Sequence, residues 1–141
     1  MNGTGNGMFD PDGLTTRGMI VTMLYRMDDC PNVEGSLSFK DVSVNSFYEK
    51  AIKWALQCRI VNGYSATIFG PAAILYRYCA YKYGNVKTNG DLSKYKDAET
   101  ISVYAKEAML WAKENGIITG TSTTTLSPSG RATRAQAAAI V

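Results

Sequence analysis

The sequence predicts a mainly helical protein, built from tandem helix–loop–helix repeats with little β structure. Three observations carry this. Trp54 and Trp111, Gly63 and Gly120, and Pro71 and Pro128 stand in one register, each pair 57 residues apart, and self-similarity at a fixed period marks a repeat architecture. Each Trp sits among apolar residues at helical spacing, with Phe47, Ala51, Trp54 and Ala55 in one copy and Tyr104, Ala108, Trp111 and Ala112 in the other. Each Trp helix runs into a glycine-bearing turn, a small polar loop and a proline, and in two places a Thr-Arg pair then opens another helix.

The most complete copy starts at Tyr95-Lys96-Asp97 and passes through Gly116-Ile117-Ile118-Thr119-Gly120 and Leu126-Ser127-Pro128 to Thr133-Arg134. The copy before it starts at Phe39-Lys40-Asp41 and continues through Ile60-Val61-Asn62-Gly63 to Phe69-Gly70-Pro71. A third is a second half alone, since residues 9–17 align without a gap on 126–134. The expected organisation is therefore the C-terminal half of repeat 1 at 1–28, repeat 2 at 36–84 and repeat 3 at 92–141 with its last helix cut short. Repeat 2 is irregular. Leu24-Tyr25-Arg26 matches Leu75-Tyr76-Arg77, yet Pro11 lies thirteen residues before Leu24 and Pro71 only four before Leu75. About nine residues are missing after Pro71, including the Thr-Arg pair, either deleted from the protein or absent from this sequence.

The 141 residues carry a net charge of +3 with no basic cluster, which argues against a nucleic-acid partner and leaves an anionic one open. No apolar run is long enough to span a membrane and no signal-peptide pattern is present, so any export signal is expected outside the sequence. Histidine is absent, which removes the commonest general base and metal ligand along with Ser-His-Asp and Cys-His sites. The odd count of cysteines, Cys30, Cys58 and Cys79, requires at least one free thiol, and their spacing is of no metal-binding type. Neither a metal nor a cofactor is expected. Asp10 and Asp12 invite a calcium-loop reading, but Thr15 and Val21 stand where such a loop needs Gly and Glu, so a plain turn is expected there.

In chain order, residues 1–8 read as a loose lead-in rich in Gly and Asn, and 9–13 as a turn. Thr16 is the expected N-cap of a helix whose apolar face is Met19, Ile20, Met23, Leu24 and Met27. Residues 28–38 and 82–94 form polar linkers. Ser46 and Glu49 suggest a capping box for the first Trp helix, and Thr133 and Gln136 one for the last helix. Gly116 fits a left-handed cap, whereas Arg59 at the same register predicts a poorer one. The two Trp side chains read as core, the alternative being stacking platforms at a groove.

Arg17 and Arg134 each follow a capping threonine. A cation in the first turn opposes the helix dipole, so local stability does not select it. Two readings stand: the guanidinium and free backbone N–H groups hold a carboxylate or phosphate, or each arginine bonds a neighbouring loop carbonyl or a carboxylate such as Asp41 or Asp97. The loops at Gly63-Tyr64 and Gly120-Thr121 offer amides and hydroxyls to a polar ligand, or serve simply as turns.

Phe39-Lys40-Asp41-Val42, Ala51-Ile52-Lys53-Trp54-Ala55, Ile60-Val61-Asn62-Gly63-Tyr64, Phe69-Gly70-Pro71 and the Thr-Arg motifs together resemble S-layer homology repeats of Gram-positive surface proteins. The resemblance covers nearly the whole chain except its ends and linkers. It implies three repeats packed as a pseudo-threefold helical spindle whose inter-repeat grooves bind pyruvylated secondary cell-wall polysaccharide, anchoring a surface protein to the wall without a covalent bond. The saccharide-binding residues expected from the resemblance and the residue chemistry together are Arg17 and Arg134 with Thr16 and Thr133, Asp41 and Asp97 at the groove edges, and Gly63, Tyr64, Gly120 and Thr121 in the loops. An extracellular location at the cell wall follows. The family's motif continues from Thr-Arg through a small residue to Glu; Met19 and Gln136 stand at that place here. The alternative function is a structural, self-associating module that has lost its sugar site. Catalysis is not expected, since no carboxylate pair is suggested for glycoside hydrolysis.

Overall fold

The structure, a computed structural model of the chain, describes residues 1–37, 39, 41–62, 71–84 and 86–141, with the backbone alone for 71 and 72. The described residues are mainly helical, with five α-helices: α1 (Arg17–Met27), α2 (Glu49–Gln57), α3 (Pro71–Tyr83), α4 (Val103–Glu114) and α5 (Arg134–Ile140). A short 3-10 helix spans Ala98–Thr100. Among the described residues only isolated β-bridges occur. No helix of the described chain is long and apolar enough to cross a membrane. Two compact units are present, Met1–Ala66 with Arg131–Val141, and Thr67–Gly130.

In the first unit α1 packs on α2. Ile20, Val21 and Leu24 of α1 and Ala51, Trp54 and Ala55 of α2 are buried, and the Tyr25 ring lies 5.7 Å from that of Trp54. In the second unit α3 packs on α4 in the same manner, with Tyr76 5.8 Å from Trp111. Both Trp side chains are thus core, as expected. The packing partner of each Trp helix is the α-helix before it in the chain, so each pair buries apolar faces that either helix alone would expose.

Helix ends follow the local chemistry with two exceptions. Thr16 and Thr133 cap α1 and α5, their hydroxyls accepting the N–H of Met19 and Gln136 at 3.2 Å each, and Gln136 Oε1 accepts the Thr133 N–H at 2.9 Å. The Ser46–Glu49 capping box does not form: α2 starts at Glu49 behind Tyr48. The Glu49 carboxylate instead accepts the Asn45 N–H at 2.6 Å and pairs with Lys53 at 3.0 Å, one helical turn on. That ion pair holds its carboxyl below the usual carboxylate range. The second exception is the lead-in. Thr4 N donates to Met8 O at 2.8 Å and Met8 N to Gly5 O at 2.9 Å, closing a tight turn over Asn6-Gly7, both at positive φ as a primed turn requires. Thr121 N donates to Thr125 O at 2.9 Å in the same way, so the segment before Phe9 is a copy of the loop before Leu126.

The two Trp helices end alike. Arg59 and Gly116 both take left-handed backbone, φ +57 and +67, and Ile60 N and Val61 N bond to Ala55 O as Ile117 N and Ile118 N bond to Ala112 O. The repeat imposes the geometry, and the arginine adopts it against its steric preference. α3 runs unbroken from Pro71, a residue suited to a first helical position because it has no N–H to leave unpaired there. In the third repeat the corresponding Pro128 lies in a turn ahead of α5. Cys30, Cys58 and Cys79 are free thiols, and burial pushes the Cys79 thiol up.

Candidate functional site

The fold places the two Thr-Arg arginines in different surroundings. Residues 13–15 and 132–134 meet within the first unit: Leu14 bridges Thr133, and Thr15 N donates to Ala132 O at 2.9 Å and Arg134 N to Gly13 O at 2.8 Å. This pairing draws Arg134 inward until it is only 3% exposed. Its Nε donates to Phe9 O at 2.8 Å, its Nη2 donates to Asn2 O at 2.7 Å, and its Cζ lies 4.9 Å from the centre of the Phe9 ring. Of the two readings of this arginine, the geometry matches the one in which it bonds neighbouring loop carbonyls.

Arg17 is exposed at the start of α1 and faces a cavity of about 160 Å³. The rest of its lining comes from later in the chain, with Phe39 and Asp41 before α2, Ile52 on α2 and Val61 and Asn62 after it. Gly18 belongs to the same wall as Arg17. A Cβ there would come within 3.1–3.2 Å of the Tyr48 ring, so the absence of a side chain lets α1 and the start of α2 close on each other. The cavity is mainly apolar, with a guanidinium, a carboxylate and an amide at its polar positions, the composition of a small-ligand site.

The other predicted residues separate into groups. Asp41 shares the Arg17 cavity, but Asp97 is used by the chain itself. Its carboxylate accepts the N–H of Leu126 at 3.0 and 3.1 Å and of Ser127 at 2.7 Å, and these bonds, that of Leu126 foremost, hold its carboxyl below the usual carboxylate range. Thr16 and Thr133 are engaged as caps. Gly120, at φ +88, has no room for a Cβ against Thr125 O at 2.6 Å, and Thr121 closes the same loop by bonding Ser127 Oγ at 2.9 Å. Gly63 and Tyr64 lie outside the described residues. Sequence reasoning passed over Asn62 and the apolar wall. Asn62 adjoins the predicted Gly63, and that adjacency was the available signal.

A sequence model of the S-layer homology domain matches residues 38–75 and 94–138. The chain is 33% identical over 141 aligned positions to the surface-layer 125 kDa protein of Lysinibacillus sphaericus, a match covering 95% of this chain and 12% of that protein. It is 27% identical to an amylopullulanase of Thermoanaerobacterium thermosulfurigenes, covering 100% of this chain and 8% of the enzyme. It is 26% identical to exoglucanase XynX of Acetivibrio thermocellus, covering 100% and 14%. The chain thus spans a small fraction of the length of each relative. Against the two enzymes the alignment runs over 149 positions for 141 residues of this chain, so each enzyme has about eight residues where this chain has none.

Proposed function

The chain belongs to the S-layer homology domain family, and from that premise we propose that it anchors a larger surface protein to the bacterial wall by binding pyruvylated secondary cell-wall polysaccharide in the Arg17 cavity. Family membership and the surface-layer relative place it outside the cell, at the cell surface. The observation that supports the ligand assignment is that Arg17 and Asp41 line one cavity. A pyruvyl ketal presents a carboxylate and a methyl group on a sugar ring. Arg17 suits the carboxylate, Asp41 and Asn62 suit sugar hydroxyls, and Val21, Ile52 and Val61 suit the methyl group and the apolar ring face.

One occupied site per chain is expected. Arg134 is committed to the carbonyls of Phe9 and Asn2, and the shortened second repeat has no Thr-Arg pair. A shortening after Pro71 would also account for the positions that the two enzyme relatives have in excess. The hydrolytic activities in those relatives' names are not transferred: the shared region covers 8% and 14% of them, and the role supported here is attachment.

Calorimetric titration with pyruvylated wall polysaccharide, beside the same polymer stripped of its ketals, tests the proposal. Binding near one site per chain, confined to the pyruvylated polymer and lost in Arg17→Ala, is the expected result. A folded sample that binds neither polymer would favour the structural, self-associating alternative.

A further inference from the structure

A different face of α1 carries a feature that the Arg17 cavity does not use. Two adjoining clefts of about 400 and 390 Å³ share Thr22, Arg26 and Phe47 and together form a trough across the helix. Phe47 is 65% exposed, and its ring is set edge-on to Tyr48 at 4.9 Å, so the side chain is oriented without being buried. Arg26 and Lys50 are exposed cations on the trough. The acid beside them, Glu49, is engaged by Lys53 and the Asn45 N–H. In the second unit Tyr104, 57 residues on, is 45% exposed and lines a cleft of about 50 Å³ with Ala73, the repeat counterpart of Thr22. Burial explains Trp54 and Trp111, but it explains neither Phe47 nor Tyr104.

We propose that the trough over α1 is a second subsite for the wall polysaccharide, in which Phe47 stacks on a sugar ring while Arg26 and Lys50 meet the acidic substituents of the same strand. An exposed ring, held by a neighbour and flanked by cations, offers a flat apolar face to the C–H side of a pyranose and complementary charge to its carboxylates. The inference rests on the proposed anchoring function and extends it from one sugar unit to a polymer. Affinity then comes from two contacts on one strand, and the second binding event is intramolecular.

The test compares two probes, the pyruvylated wall polysaccharide and a pyruvylated disaccharide released from it, against the parent chain, Phe47→Ala, Phe47→Trp, the double variant Arg26→Gln/Lys50→Gln, and Arg17→Ala. Phe47→Ala should weaken polymer binding by roughly tenfold and leave disaccharide binding unchanged, with Phe47→Trp retaining or raising polymer affinity. The double variant should weaken polymer binding and flatten its salt dependence. Polymer affinity unchanged in both Phe47→Ala and the double variant overturns the subsite. So does a Phe47 variant whose only effect, by sedimentation, is loss of self-association, which would make the trough a contact between copies. Unchanged binding of both probes in Arg17→Ala would instead overturn the cavity assignment, and the two failures are thereby separable.

Discussion

Arg134 lies over the ring of Phe9, its Cζ 4.9 Å from the ring centre, while its Nε donates to the Phe9 carbonyl at 2.8 Å. With the further bond to Asn2 O at 2.7 Å, the side chain ties the start of α5 to the loop before Phe9 within one compact unit. A charged donor to two carbonyls, stacked on an aromatic face, is a structural clamp. Arg17, at the same motif position, opens onto a cavity.

Opposite consequences follow for the two arginines. Arg134→Ala should destabilise the protein by about 2–3 kcal/mol, from two lost charge-assisted bonds and the cation–π contact. Arg17→Ala, at an exposed position, should cost less stability than that and abolish polysaccharide binding. Denaturant titration and calorimetry on the same two variants check both halves. Equal stability losses would contradict the distinction.

The helices were legible because they rest on periodicity, capping threonines and a register repeated over 57 residues. The cavity was partly legible. Arg17 and Asp41 carry the chemistry a ligand needs, and both motifs point to them. The motif cannot show tertiary competition: Thr133-Arg134 has the same local sequence as Thr16-Arg17, but only Arg134 finds Phe9 O and Asn2 O within reach. Asp97 likewise shares a motif with Asp41, and it faces the Leu126 and Ser127 amides across thirty residues of chain. The turn before Phe9 was missed for a different reason. Its Gly-Asn composition obscured the fact that Gly3-Thr4 stands where Gly120-Thr121 stands, and the shared bond from Thr N–H to the carbonyl four residues on reveals the match.

Arg59 and Gly116 occupy one backbone geometry with different residues. A non-glycine residue in left-handed backbone is strained by about 1–2 kcal/mol, and glycine gives back part of that difference through its larger unfolded-state entropy. Arg59→Gly should therefore stabilise the first unit by about 0.5–1 kcal/mol, and Gly116→Ala should cost the second about 1 kcal/mol. Thermal or denaturant unfolding of the two variants supplies the comparison. A destabilising Arg59→Gly would mean that the arginine side chain makes a contribution larger than its backbone strain.

The Tyr25–Trp54 and Tyr76–Trp111 pairs, 5.7 and 5.8 Å apart, join each Trp helix to the helix before it. Trp54→Ala should cost about 3–5 kcal/mol because the ring is only 2% exposed. A double-mutant cycle of Tyr25→Leu with Trp54→Leu should return a coupling of about 0.5–1.5 kcal/mol. Tyr25→Phe, which keeps the ring but loses the bond to Pro31 O at 2.9 Å, should cost about 1 kcal/mol and leave most of that coupling in place. Zero coupling would assign the pairing of the helices to the aliphatic contacts instead.

Asp97 gives the loop before Pro128 a defined response to acid. Its carboxyl is held below the value of 3.8 by the N–H groups of Leu126 and Ser127, with partial desolvation working against them. A carboxyl depressed in the folded state contributes stability that is fully present above its unfolded pKa and is lost as pH falls through the folded one. The second unit should therefore keep its stability down to about pH 4 and lose part of it below, where the carboxyl takes up its proton. Asp97→Asn removes the charge and offers one acceptor oxygen where two now serve, so it should destabilise the unit at neutral pH and flatten the acid limb of the stability profile. Hydrogen exchange gives the local readout: the amides of Leu126 and Ser127 should be protected at pH 7 in the parent chain and lose that protection in the variant. Retained protection in Asp97→Asn would show that the loop is held by Thr121, through its bonds to Thr125 O and Ser127 Oγ, and not by the carboxylate.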